Sequence, residues 1–221
     1  MLRQTFDREL HRLQEEMLVL GSMVEKAIVR SVEALKNRDL EEAGQIVADD
    51  LKINRKRFEI EEECVQLVAT QQPMASDLRT IVAVLHIIVD LERMADHAEG
   101  IAKIAIMMGK EPPLKPLIDI PRMAAKGVEM LRRSLGAFIE RDVEEAKHIC
   151  EEDDLVDGLY DQVYRELLTY MLADPATINR ATYLLWVAHN LERIADRATN
   201  ICERAVFLAT GKMEELNVSK Y

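Results

Sequence analysis

The chain is poor in residues that interrupt regular structure. Its 221 residues include only 8 glycines and 6 prolines, so long elements joined by few turns are expected. Aromatic residues make up only 5%, yet 48% of the chain is hydrophobic, with 11 methionines. That balance favours helices packed on helices. The three cysteines, Cys64, Cys150 and Cys202, form no CxxC or other zinc-type spacing and suit a reducing compartment. A basic surplus is also missing. The net charge of −11 argues against a nucleic-acid binder, which needs a basic face, and disfavours capture of free phosphate or anionic lipid, with local basic patches left open. No run reaches the roughly 18 apolar residues of a membrane span. The most apolar one, Ile81–Val89, is short and interrupted by His86. Met1–Asp7 lacks the apolar core of a secretory signal. A cytoplasmic protein is expected, with a peripheral role at a membrane complex left open. There is no glycine-rich phosphate loop and no nucleophile elbow. Ser22, Ser31 and Ser134 lie in helical patterns without an arranged base, so an enzyme is not expected.

What the chain does have is an internal repeat. Asp90-Leu-Glu-Arg-Met-Ala-Asp-His-Ala-Glu-Gly-Ile101 returns as Asn190-Leu-Glu-Arg-Ile-Ala-Asp-Arg-Ala-Thr-Asn-Ile201, and 8 of the 16 positions aligned from 90 and 190 are identical. Asn37-Arg-Asp-Leu-Glu-Glu-Ala43 returns as Glu140-Arg-Asp-Val-Glu-Glu-Ala146, offset by 103 rather than 100. Hydrophobic spacing predicts helices over about 7–36, 40–70, 78–108, 122–139, 143–172 and 176–210. The first stripe is Leu10, Leu13, Met17, Leu20, Val24, Ala27, Ser31 and Ala34; the second is Ile46/Val47, Leu51, Phe58, Cys64/Val65 and Val68. Asp39, Ser76 or Asp77, and Asp174 before Pro175 are the expected N-caps, and Gly211 closes the last helix. The expected architecture is all-α, six helices forming two tandem three-helix bundles by internal duplication. The first bundle spans 1–109, a proline-bearing linker 110–121, and the second bundle 122–221.

The repeat carries carboxylates. Glu92/Asp96 and Glu192/Asp196 are spaced four apart, which places each pair on one helix face about 5–6 Å apart at Cβ, at a small repulsive cost. Folding helices two and three about Pro73 brings Asp50 level with Asp96 and Asn54 level with Glu92. Folding helices five and six about Asp174 brings Asp153 level with Asp196 and Asp157 level with Glu192. The same operation on the first turns adds Glu25 and Glu129 as further partners. An all-oxygen set selects magnesium, calcium, manganese or oxidised iron rather than zinc. Asn54 stands where the second half has Asp157, so the first site is expected to be the less anionic. The alternative is a solvated face with ion pairs: Arg93 with Asp96, Arg193 with Asp196, and Lys103 with Glu99.

Other features read as structural. Glu145-x-x-His148 has the spacing of a di-iron helix, but such a site needs two copies. His86, His97 and His189 are expected as half-buried structural histidines, the methionines as core filler, and Trp186 as a core or interface residue.

Gln71-Gln-Pro73 followed by Asp77-Leu-Arg79, then Asp90-Leu-Glu-Arg-Met-Ala-Asp96, and later Asn190-Leu-Glu-Arg-Ile-Ala-Asp196 with Asn200-Ile201, together resemble the PhoU family of phosphate-transport regulators over nearly the whole chain. The resemblance implies two three-helix bundles in a cytoplasmic, commonly dimeric, non-enzymatic regulator. It implies as partners the ATPase subunit of a phosphate ABC transporter and a phosphate-sensing histidine kinase, damped when phosphate is plentiful. It also implies iron or another metal on Glu/Asp-x-x-x-Asp motifs. That role falls on Glu92, Asp96, Glu192 and Asp196, with Asp50, Asp153 and Asp157 as partner ligands. Two rival classes are a metal-free helical scaffold and a carboxylate–metal phosphohydrolase.

Overall fold

The computed structural model describes residues 2–216, with side chains from residue 6. The outermost ends of the two expected halves, residue 1 and residues 217–221, lie outside the described residues, as do the side chains of the first few N-terminal positions. Six α-helices account for nearly all of the described chain: α1 Leu2–Asn37, α2 Leu40–Gln71, α3 Ser76–Met108, α4 Asp119–Glu140, α5 Val143–Ala173 and α6 Ile178–Thr210. A 3₁₀ turn, Pro175–Thr177, leads into α6.

The helix ends repeat with the sequence. Arg38 and Arg141 adopt left-handed backbone with φ of 59° and 56°. Asp39 and Asp142 then cap the next helix, each accepting at Oδ1 from the N–H of the third residue on, Glu42 or Glu145, at 3.0 Å. Gly211 closes α6 at φ 75°, its N–H bonding Phe207 O. The expected cap of α3 is not used. Ser76 is already helical, and Ala75, at φ 48°, stands before it without a side-chain cap bond. α4 starts at Asp119, three residues ahead of the expected start, with Pro121 in its first turn. A proline is tolerated there because first-turn N–H groups have no intrahelical acceptor.

In α1 the stripe Leu13, Met17, Leu20, Val24, Ala27, Ser31 and Ala34 is buried as the spacing predicts, and Leu10 packs at its edge. α2 differs. Its buried row is Ala43, Ile46, Asp50, Ile53, Ile60, Cys64 and Leu67. Leu51, Phe58 and Val65, expected in the core, form a second row at intervals of seven and are 57–70% exposed. The polar Asp50 sits inside the true core row, which concealed that row in the sequence. Arg57 lays its guanidinium over the outward-facing Phe58 ring, 4.6 Å from the centroid.

Each half packs its three helices together, and the two halves also pack on each other through α3 against α6 and α1 against α4. One hydrophobic core runs through both. Polar rungs set the α3–α6 register. His97 Nδ1 lies 2.9 Å from Asn190 Oδ1, while Asp90 Oδ1 accepts from Asn200 Nδ2 at 3.1 Å and pairs with Arg197 at 3.4 Å. Residue numbers rise on one helix as they fall on the other, so the two are antiparallel. Asp90 and Asn190 are equivalent positions, as are His97 and Arg197, and Gly100 and Asn200. Each half offers the same positions to the other across a pseudo-two-fold axis. Gly100 has a local reason to be glycine, because a Cβ there would stand 3.2 Å from Asn190 Oδ1.

On the other face of the joint, Leu135 of α4 seats on Gly21 of α1, where an added Cβ would fall 2.5 Å from Leu135 Cδ1. Gly21→Val should therefore loosen the joint between halves and lower stability by about 1–3 kcal/mol. Because the core is shared, urea unfolding followed by Trp186 fluorescence in α6 should shift to lower midpoint with this substitution in α1, and coincide with the loss of helix by circular dichroism. An unmoved Trp186 transition would show the halves to be independent.

Candidate cation sites between paired helices

Two ion-pair triads fix α1 on α2 and α4 on α5. Arg30 Nε meets Glu42 at 2.5 Å and its Nη1 meets Asp49 at 2.9 Å. At a spacing of 103 residues, Arg133 Nε meets Glu145 at 2.7 Å and its Nη1 meets Glu152 at 2.7 Å. The hydrogen bonds that they donate to these carboxylates hold both guanidiniums more firmly protonated than usual. Glu145 is thus committed to Arg133, and His148 Nε2 lies 3.1 Å from Glu152, so Glu145-x-x-His148 does not assemble a di-iron site. Glu25 and Glu129 also stand apart from the acidic clusters. Glu25 pairs across the joint with Arg132, and Glu129 with Lys126 and Arg133. Matching heights along the bundle did not fix the angle around it, and both side chains turn toward arginines instead. Ser31 and Ser134, equivalent and buried, each bond back to the helix, at Ile28 O and Leu131 O, both at 2.9 Å.

The remaining acidic residues do meet. In the first half Asp50 is buried on α2 and faces α3. Its Oδ2 accepts from Asn54 Nδ2 at 2.8 Å, while its Oδ1 and the Asn54 Oδ1 are buried with no hydrogen-bond partner. Burial, then the charges of Glu99 and Asp96, push the Asp50 carboxyl up to about 6; the Asn54 bond opposes this. Burial and Asp96 also raise Glu92, with Arg57 opposing, and burial and Glu99 raise Asp96. Folding about Pro73 therefore put the right residues together. It does not bring in Glu99, whose expected ion pair with Lys103 is present at 2.6 Å. Glu99 also lies three residues beyond Asp96 on the same helical face, and this spacing was the available signal. Its charge adds to the first site, but the second stays the more anionic, as expected: Lys26, Arg30 and Lys52 border Asp50 and Glu99, whereas Asp154, Asp161, Glu203, Glu214 and Glu215 add to the lining of the second groove.

In the second half Asp153, Asp157, Glu192 and Asp196 line one groove of about 1040 Å³ between α5 and α6. Burial and Asp196 lead in pushing Glu192 up to about 7; Asp157 and Asp153 add to this and Arg193 opposes it. Glu192 Oε2 is buried without a hydrogen bond, although His189 Nδ1 lies 3.4 Å away. Arg193 pairs with Asp196, so an ion pair and an acidic cluster coexist. The first-half counterpart Asp96 has Glu99 beside it, whereas the residue three after Asp196, Thr199, donates its Oγ1 to Asp196 O at 2.8 Å.

Oxygen-only donors fit a hard cation, and the buried Asp50 Oδ1 and Glu192 Oε2 are acceptors that a cation would satisfy. Among the described residues no three acidic, histidine or cysteine side chains already converge closely enough to hold an ion, so binding requires side-chain rotation. Of the histidines expected to be half-buried, only His97 is; His86 and His189 are exposed. Burial lowers the His97 pKa, and its Asn190 partner opposes that. Trp186 is 49% exposed and not in the core, with Tyr183 edge-on to it at 5.7 Å.

The raised carboxyls carry a sign. Asp50 moves from 3.8 to about 6 and Glu192 from 4.5 to about 7. Between those values the folded chain holds protons that the unfolded chain has released, so stability falls as pH rises through this window and the penalty is complete above it. In chelator, Asp50→Asn should raise the melting temperature at pH 8 by about 2–4 °C and have a smaller effect at pH 5. An equal effect at both pH values would contradict the assignment.

The PhoU domain model matches residues 17–105 and 120–205, one copy in each half. The chain is 40% identical over 218 residues to the phosphate-specific transport system accessory protein PhoU homolog of Clostridium acetobutylicum, covering 98% of this chain and 100% of that one. It is 42% identical over 206 residues to the homolog of Aquifex aeolicus, covering 93% of each. The crystal structure of PhoU from Pseudomonas aeruginosa superposes with a TM-score of 0.88 at 35% identity, covering 94% of this chain and 100% of that one. That of the phosphate transport system regulatory protein PhoU from Streptococcus pneumoniae also gives 0.88, at 33% identity and 95% and 99% coverage. With two matching domains, full-length relatives and the same six-helix architecture, the chain belongs to the PhoU family.

Proposed function

We propose that this chain is a non-enzymatic accessory regulator of phosphate uptake that works by contact with partner proteins and carries cations in its two acidic sites. The relatives' names, phosphate-specific transport system accessory protein and phosphate transport system regulatory protein, support the regulatory part. Its partners on this reading are the ATPase subunit of a phosphate ABC transporter and a phosphate-sensing histidine kinase. Their output is damped when phosphate is plentiful, and the protein acts in the cytoplasm as a homodimer. Among the described residues no helix is long and apolar enough to cross a membrane, so association with a transporter would run through protein contact. Long helix faces suit that role better than capture of phosphate itself, because a chain of net charge −11 repels a free anion.

The observation that carries the cation part is the repeated burial of carboxylates against one another, with acceptor oxygens left without hydrogen bonds on Asp50 and Glu192. Asp50, Glu92, Asp96 and Glu99, with the Asn54 carbonyl, would hold an ion in the first half; Asp153, Asp157, Glu192 and Asp196 would hold one in the second. Iron, or magnesium or manganese, suits such donors. A bound cation would supply the positive charge that lets α2 close on α3 and α5 on α6, fixing the faces offered to partners.

Elemental analysis of protein purified without chelator should find metal that is reduced by about half in Glu192→Gln/Asp196→Asn, where one of two sites is lost. Equal, negligible metal in both would end the cation reading. A pull-down should retain the transporter ATPase subunit or the sensor kinase; retention of neither would end the adaptor reading.

A further inference from the structure

The two acidic sites differ in the path the chain takes on leaving α3 and α6. After α3, Gly109 turns the chain at φ 65°, and the connection is led away from the first site. Arg180 donates to Pro112 O at 2.6 Å, and the buried Lys115 pairs with Glu166 of α5. After α6, Gly211 makes a corresponding left-handed turn at φ 75°, but the chain doubles back onto its own site. Thr210 Oγ1 accepts from the Lys212 N–H at 3.1 Å, Arg204 Nη1 reaches Met213 Sδ at 3.3 Å, and the Leu216 N–H bonds Glu203 Oε1 at 3.1 Å. Leu216 packs, half-buried, against the core. Between these anchors Met213, Glu214 and Glu215 form one wall of the groove that holds Glu192 and Asp196.

We infer that Met213–Leu216 is a strap that closes the second site over its cation, with Glu214 and Glu215 completing the negative wall; this rests on the cation reading of the proposed function. The strap carries two negative charges toward a groove in which Asp153, Asp154, Asp157, Asp161, Glu192, Asp196 and Glu203 already outnumber Arg193, Arg197 and Arg204, so with no cation the net Coulomb energy opposes closure. Its anchors are few: one side chain packed on the core and isolated polar contacts at the surface, each of modest net worth. A cation reverses the sign of the electrostatic contribution. Cation binding therefore favours strap closure, and by linkage strap closure favours cation binding by the same factor. Among the described residues the first site has no such wall, so the two sites release their ions at different rates.

The test uses the full chain carrying Glu92→Gln/Asp96→Asn, so that the second site is read alone, with manganese(II) as probe. Bound ion is measured by electron paramagnetic resonance, and release by stopped-flow chelation. Leu216→Asp, which removes the apolar anchor at the periphery, should speed release about tenfold or more and leave the melting temperature in chelator unchanged. Glu214→Gln/Glu215→Gln, which keeps the anchor, should weaken binding by several-fold. Manganese bound with release unchanged in both variants overturns the strap and leaves the cation reading standing. No manganese bound by the parent overturns both. Should Leu216→Asp lower the melting temperature, the double glutamine variant decides alone: weaker binding supports the strap and unchanged binding overturns it.

Discussion

Carboxylates repel one another most where water is scarce, and this chain holds them there twice. Asp50 faces Asp96 and Glu99 across α2 and α3, and Glu192 faces Asp153 and Asp157 across α5 and α6. Repulsion of that kind is tolerated only if the surrounding frame is rigid enough to impose it. The frame here is the shared core, the arginine triads at Arg30 and Arg133, and the α3–α6 rungs at Asp90 and Asn190. These elements set the helix spacing and border the sites: Arg30 and Asp49 lie beside Asp50 and Glu99, and Arg197 and Asn200 beside Glu192 and Asp196. The sites inherit that spacing.

The duplication explains the rest of the layout. Gene-level repeats usually diverge first where nothing constrains them, yet here the paired positions cross over. Asp90 of the first half needs Arg197 and Asn200 of the second, and Asn190 of the second needs His97 and the open space at Gly100 of the first. The halves have diverged as a complementary pair, not as two copies. The connections have diverged as well. One is led away to α5 and α6, and the other lies back along the groove beside Glu192.

Much of this was legible in the sequence. The six helices follow from hydrophobic spacing, and the Asp39, Asp174 and Gly211 ends from capping chemistry. The contacts Asp50–Asp96 and Asp157–Glu192 follow from counting residues on either side of two turns. What counting cannot give is rotation about the helix axis. Glu25 and Glu129 were placed at the right height and turn to Arg132 and Arg133 instead. The core row of α2 was hidden because Asp50 sits within it, while Leu51, Phe58 and Val65 imitate a core row on the outside. Glu99 was obscured by its own ion pair with Lys103. In each case a side chain had two plausible partners in sequence, and only packing chose between them.

On the proposed reading these carboxylate pairs are held together for a cation. Anomalous diffraction from crystals grown with manganese(II) tests it most directly. Two peaks per chain are expected, one between Asp50 and Asp96 and one between Asp157 and Glu192, with the side chains rotated inward to meet them. Well-ordered acidic side chains in both grooves with no anomalous peak between them would contradict it.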